Sequence, residues 1–343
     1  MKKEFPEFYR LEDKEIKDLW TDCFFVFDAN VLLNLYRYSL ETTENLIEVL
    51  KSLSDRIWIP HQFAYEYQKN RASVIEEQRI KYNKSVDTIV SELDKIKDLQ
   101  SNYFKTPSVD IAVFQESLSK SKAVYPDCSF EDKTRSQMDL LFESKVGDPF
   151  DDKKQTSVIE NGLERYQREI PPGYCDAKEK DKDDPTKTKK FGDLIGWIQM
   201  MEKSKEVGKS IIFITSERKE DWWQIVKGKI VGPRFELIKE FREKTEKRFH
   251  MYDMKRFLDY AKKSYTVSKS TLDEVEKKDK LYNDPLVSEK VSPLNTAEAL
   301  PDDINLSTEW REVEISDSAD IDKEIILTKK EIVPEESERQ INF

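Results

Sequence analysis

The sequence predicts an α/β domain built on a mainly parallel sheet. Two observations carry that expectation. Its short apolar runs are continuous, as in strands buried on both faces. Between them lie stretches whose apolar residues recur every three or four positions, as in helices packed along one side.

The elements follow in order. Cys23-Phe24-Phe25-Val26-Phe27 is the first strand and stops at Asp28. Leu32, Leu35, Tyr36, Leu46, Ile47 and Leu50 then mark helix. Arg56-Ile57-Trp58-Ile59-Pro60 is a second strand, closed by a proline that has no N–H for a central ladder. Phe63, Tyr67 and Val74 share one face of the next helix. Residues 72–146 are rich in Glu, Lys, Gln, Leu and Ile at helical spacing, with a break at Thr106-Pro107-Ser108. They read as two or more helices inserted into the domain. Residues 147–190 read as loop, from Pro149, Pro171-Pro172-Gly173 and the charged run Lys178–Asp184. A third strand is expected at Ser210–Thr215 and a fourth near Arg248–Met251, giving a domain over residues 22–264.

Composition sets limits on chemistry and location. Hydrophobic and charged residues each make up 37 % of the chain, the balance of a soluble protein. Met1-Lys2-Lys3-Glu4-Phe5-Pro6 has no apolar core of a secretory signal, and no run reaches the roughly 20 apolar residues of a membrane span. The three cysteines, Cys23, Cys128 and Cys175, lack disulfide or zinc spacing, so a reducing cytoplasm is the expected setting. With only His61 and His250 present, chemistry built on a histidine base is disfavoured. The net charge of −11 is concentrated in residues 265–343, which hold 20 acids and 10 bases. That segment, with Pro285, Pro293, Pro301 and Pro334, reads as an acidic tail, partly disordered or partner-binding, in which Glu324–Leu327 could add a strand. The remaining body is close to neutral, so a nucleic-acid partner is neither announced nor excluded.

Four acids stand at or near expected strand ends: Asp28 after the first strand, Glu66 on the helix after the second, Asp193 at a helix start, and Glu217 just after the third. Open α/β sheets gather ligands at the carboxyl ends of their strands. Converging carboxylates repel one another, and hard cations such as Mg²⁺ or Mn²⁺ relieve that repulsion. Such ions can polarise a phosphoryl oxygen and acidify water, which is phosphodiester hydrolysis without histidine. The same four positions could equally be helix caps or solvated charges.

Phe27-Asp28-Ala29-Asn30-Val31-Leu32-Leu33-Asn34-Leu35-Tyr36-Arg37 resembles the opening motif of PIN-like domains. Trp58-Ile59-Pro60-His61-Gln62-Phe63-Ala64-Tyr65-Glu66-Tyr67 is similar to their next block. Arg165-Tyr166 with Ile170–Asp176 resembles a loop of one bacterial subfamily; Phe191–Trp197 and Ile211–Trp223 complete the pattern. The resemblance implies a three-layer α/β/α fold and identifies Asp28, Glu66 and Asp193 as metal-binding acids. The family's fourth acid usually lies in Thr-x-Asp, whereas this chain has Thr215-Ser216-Glu217, with Asp221 as a second claimant.

Several other residues carry two readings. Asn30 and Thr215 could orient the acids or serve only local backbone groups. Arg37 and Arg71 could meet phosphates or be tied up in salt bridges. His61 reads as a helix-start residue, while Trp222 and Trp223 could stack on bases or be buried against the sheet. The helical insertion could arch over a single strand, add a packing layer or mediate oligomerisation. The functional expectation is a Mg²⁺- or Mn²⁺-dependent endonuclease, with RNA favoured over DNA, in a toxin, defence or RNA-processing role. A structure-specific DNase and a non-catalytic binding module are the alternatives, and the tail could contact a protein partner.

Overall fold

The computed structural model describes residues 1–99, 111–124, 132–177 and 189–282. Its strands are β1 (Cys23–Phe27), β2 (Ser210–Ile214), β3 (Trp223–Val226), β4 (Lys229–Pro233) and β5 (Phe249–Tyr252). Three of them form a parallel sheet in the order β1-β2-β5, with Phe27 beside Ile214 and Ile214 beside Tyr252. The expected second strand survives only as an edge. Trp58 N donates to Phe25 O (3.2 Å) and Ile59 N to Lys145 O (3.1 Å), after which Pro60 ends the pairing. β3 and β4 form an antiparallel hairpin that the apolar patterning had not indicated. Lys227 and Gly228 at its turn both have positive φ, as a two-residue turn matching the strands' twist requires.

The described helices are α1 (Asp13–Thr21), α2 (Ala29–Leu33), α3 (Leu40–Ser52), α4 (His61–Leu99), α5 (Ile111–Val124), α6 (Lys133–Leu141), α7 (Asp152–Gln167), α8 (Gly192–Val207), α9 (Phe235–Thr245), α10 (Met254–Ala261) and α11 (Lys269–Tyr282). They cover both faces of the sheet, which makes the three layers. On one face Trp20 of α1 and Phe257 of α10 pack on Phe25. On the other, Phe63 of α4 stacks on Phe213, while Trp197 of α8 and Phe241 of α9 meet Phe249. Strand residues alternate between these layers, and apolar side chains are needed toward both. That is why the strands are continuous in hydrophobicity.

Three boundaries differ from the sequence expectations. The helix that carries Glu66 does not stop where the insertion was drawn. It runs unbroken from His61 to Leu99, with neither glycine nor proline to interrupt it, and pairs antiparallel with α5 through Tyr82–Ser121, Asp87–Lys122 and Asp94–Gln115. The break expected at Thr106-Pro107-Ser108 lies outside the described residues. Within 147–190, read as loop, residues 152–167 form α7, started by the Asp151 carboxylate accepting from Lys154 N (2.7 Å). Gly162, which blurs the helical pattern there, is buried where a Cβ would stand 2.6 Å from the Phe191 ring. The run Lys178–Asp184 is outside the described residues.

The third difference concerns the tail. Residues 269–282, drawn as part of it, form α11, which packs on α3 and α10 and buries Thr271 and Val275. The Glu274 carboxylate accepts from Ser39 N (2.9 Å) and Ser39 Oγ (2.6 Å). Burial opposes its charge, but those donors prevail and hold Glu274 down at about 2. A chain ending at residue 264 is therefore expected to melt about 10 °C below one ending at Tyr282 by calorimetry, a loss of roughly 4 kcal/mol. Equal Tm for both would mean that α11 adds nothing. Residues 283–343, with Glu324–Leu327, lie outside the described residues, as does Cys128. No described helix is long and apolar enough to cross a membrane.

Candidate active site

The parallel register sets the first acid in place. Asp28 N donates to Ile214 O (2.9 Å), so Asp28 and Thr215 leave neighbouring strands side by side. Thr215 Oγ1 then donates to Asp28 Oδ2 (2.8 Å) and accepts from Glu217 N (2.9 Å), tying both strand ends together. Glu66 lies on the second turn of α4, where Gln62 Nε2 donates to its Oε1 (2.7 Å). The turn is anchored in its own right, because Gln62 N donates to Gln199 Oε1 of α8 (3.1 Å). Asp193 stands in the first turn of α8.

These segments approach closely at two glycines. A Cβ on Gly192 would lie 2.4 Å from Glu66 Oε1, and one on Gly173 would lie 3.0 Å from Asp193 Cβ. Gly173 N and Cys175 N both donate to Asp221 Oδ2 (3.0 Å each). Glu66, Asp193 and Asp221 are thus linked through backbone neighbours drawn from four separate stretches of chain. Gly192→Ala is expected to cost little stability, since alanine suits a helix, yet to push the Glu66 carboxylate aside. A misplacement on the order of 1 Å costs roughly a hundredfold in the rate of any reaction that the carboxylate serves, with Tm nearly unchanged by calorimetry.

The electrostatics report the same convergence. Burial, opposed by the Thr215 hydroxyl and reinforced by repulsion from Asp193, Glu66 and Glu217, pushes Asp28 up to about 7. Burial also raises Asp221, against the Cys175 and Gly173 amides and with repulsion from Asp193 and Glu217. Asp193 and Glu217 are thus neighbours of both Asp28 and Asp221.

The two claimants to the fourth position differ in what their oxygens do. Glu217 Oε1 accepts from Arg218 N (2.8 Å) and Lys219 N (3.2 Å), and its Oε2 meets Lys219 Nζ (3.1 Å). Asp221 is 1 % exposed, and its Oδ1 is buried with no hydrogen-bond partner. A buried carboxylate oxygen without a donor is costly and is suited to a cation. Among the described residues no three His, Cys, Asp or Glu side chains stand ready-made around one ion. The carboxylate oxygens of the cluster are donors of the kind that hard cations such as Mg²⁺ and Mn²⁺ prefer.

A family model described as a PIN like domain matches residues 24–237. The chain belongs to the PIN-like domain family. No curated protein and no solved structure matches it. PIN-like domains are commonly nucleases, and the α/β/α layers and parallel sheet found here agree with the membership.

Of the supporting residues, Thr215 donates to Asp28, as described. Asn30 is exposed on α2 and makes no hydrogen bond to Asp28. The two arginines have internal partners. Arg37 donates to Asn34 Oδ1 (3.0 Å) and pairs with Glu77 (3.2 Å), and Arg71 pairs with Asp132, which also accepts from Tyr36 OH (2.9 Å). His61 is the first residue of α4. Trp222 and Trp223 are both buried, so neither offers a free stacking face, and Trp223 Nε1 donates to Glu217 O (2.6 Å). Sequence reasoning missed Gly192 and Gly173 as spacers, Gln62 as a clamp, and Lys219 with Asp176. The family blocks contained all five, but nothing local marked their roles.

Proposed function

We propose that this chain is a divalent-metal-dependent endonuclease that acts on RNA in preference to DNA. What carries the reading is the convergence of Asp28, Glu66, Asp193 and Asp221 at the carboxyl ends of β1 and β2, with Asp28 lifted by burial and by its acidic neighbours and Asp221 Oδ1 buried without a partner. These four acids would hold Mg²⁺ or Mn²⁺. A divalent cation bound there supplies Lewis-acid polarisation of a phosphoryl oxygen and a more acidic attacking water. Asp221 is assigned ahead of Glu217 because both Glu217 oxygens are already engaged. Thr215 holds the Asp28 carboxylate in orientation, Gln62 holds Glu66, and the Gly173 and Cys175 amides fix Asp221. The preference for RNA rests on the family, in which ribonucleases are frequent.

The test is cleavage of labelled single-stranded RNA, single-stranded DNA and a flap duplex by purified protein with Mn²⁺, Mg²⁺ or EDTA. Asp193→Asn is run alongside. Metal-dependent RNA cleavage that the substitution abolishes is expected. Cleavage that survives both EDTA and Asp193→Asn would sink the carboxylate mechanism, and cutting confined to the flap would reassign the substrate to DNA.

A further inference from the structure

Lys219 opens the Lys219-Glu220-Asp221-Trp222-Trp223 block and plays no part in the function just proposed. Its ammonium lies between two carboxylates from separate loops. It meets Glu217 Oε2 (3.1 Å) on its own turn and Asp176 at the far end of the Pro171–Asp176 loop. Asp176 and Glu217 thereby spend their charge on this lysine, while Glu217 also repels Asp28 and Asp221 across the cluster. The Lys219 side chain is 41 % exposed, whereas those of Asp176 and Glu217 are 15 % and 20 % exposed, so the ammonium balances the charge of two largely buried carboxylates.

We propose that Lys219 is a built-in cation that fills the second cation position of this cluster, so that the chain binds a single divalent ion. The ion would belong to the half formed by Asp28, Glu66 and Asp193 with Asp221, and the ammonium holds the half formed by Glu217 and Asp176. Two divalent ions side by side would need the carboxylates that Lys219 already occupies, and the ammonium would repel the second ion. An ammonium is a compact point charge with three donors, suited to standing where a small cation would stand. The inference rests on the metal-binding reading of the acids.

Isothermal titration calorimetry with MnCl₂ on the full chain, without nucleic acid, reads the stoichiometry directly. The wild type is expected to bind one Mn²⁺. Lys219→Met and Lys219→Gln, which keep most of the length and remove the charge, are expected to bind two, with the first held about fivefold more tightly once a neighbouring like charge is gone. Lys219→Arg keeps the charge and is expected to bind one. Two ions in the wild type overturn the proposal without recourse to any variant. One ion of unchanged affinity in folded Lys219→Met or Lys219→Gln also overturns it, while leaving the metal-binding acids in place provided that Asp28→Asn and Asp193→Asn weaken that ion. No Mn²⁺ bound by the wild type overturns both readings together.

Discussion

Asp28→Asn is expected to abolish cleavage and, in the absence of metal, to raise the stability of the protein. The first effect follows from its place at the strand end, where losing a ligand worth several kcal/mol in the transition state costs on the order of 10³-fold in kcat. The second follows from linkage. The folded-state pKa of Asp28 is pushed up to about 7 from an ordinary value of 3.8. Between these values the native state holds a proton that the unfolded chain has released, so stability falls as pH rises through that window. Integrated over it, the penalty is about 4 kcal/mol above pH 8 and vanishes below pH 4, as an order of magnitude. Asparagine removes the charge and can still accept from Thr215. The metal-free variant should therefore melt several degrees above wild type at pH 8, with the two curves converging near pH 4. Mn²⁺ should narrow that gap at neutral pH by stabilising only the wild type, at about 2.7 kcal/mol for a hundredfold excess over Kd. A variant that is inactive but no more stable than wild type at pH 8 would mean that the Asp28 charge is already neutralised in the fold.

Gly196→Ala is expected to be among the most destabilising single-methyl changes in the chain. On an exposed helix the same substitution gains about 1 kcal/mol, because glycine is the poorer helix former. Here a Cβ would stand 2.2 Å from Phe63 Cε1 and 2.4 Å from Phe63 Cζ. The ring cannot retreat, being buried and stacked on Phe213 at 5.7 Å. Overpacking of this kind costs roughly 3 kcal/mol, about 10 °C of Tm for a body of this size. Because α4 carries Glu66 and α8 carries Asp193, relief by helix separation would also part those two acids, so Mn²⁺ affinity should fall with Tm. Phe63→Leu in the same chain should return part of both losses, a coupling readable as a double-mutant cycle. If Gly196→Ala melts at the wild-type temperature, the crossing of α4 on α8 is not set by this contact.

The two cases divide what sequence alone can say about this protein. The buried strands were legible because continuous hydrophobicity is a local property, and Cys23–Phe27 and Ser210–Ile214 stand where their runs predict. The positions of Asp28, Glu66 and Asp193 were legible because strand ends and helix starts are punctuated, and because the blocks around them resemble PIN-like domains. Glycine, by contrast, was ambiguous. The packing roles of Gly162, Gly192 and Gly196 were not visible, since the reason for each is a side chain from another segment. The loop assignment covering residues 152–167 failed because it rested on the prolines and the charged run that flank α7.

What only tertiary structure decided is partner choice. Asp221 is a buried, half-satisfied acid because Gly173 and Cys175 present their amides to it from 46–48 residues away. Glu217 is engaged because Lys219 folds back on it, and Asp176 arrives from another loop to share that lysine. Arg37 and Arg71 point to internal carboxylates 40 and 61 residues downstream. Periodicity records which face of an element is apolar, and that is settled residue by residue along the chain. Which charges meet across the carboxyl ends of a parallel sheet depends on how distant segments pack, because parallel strands are joined only by long crossovers.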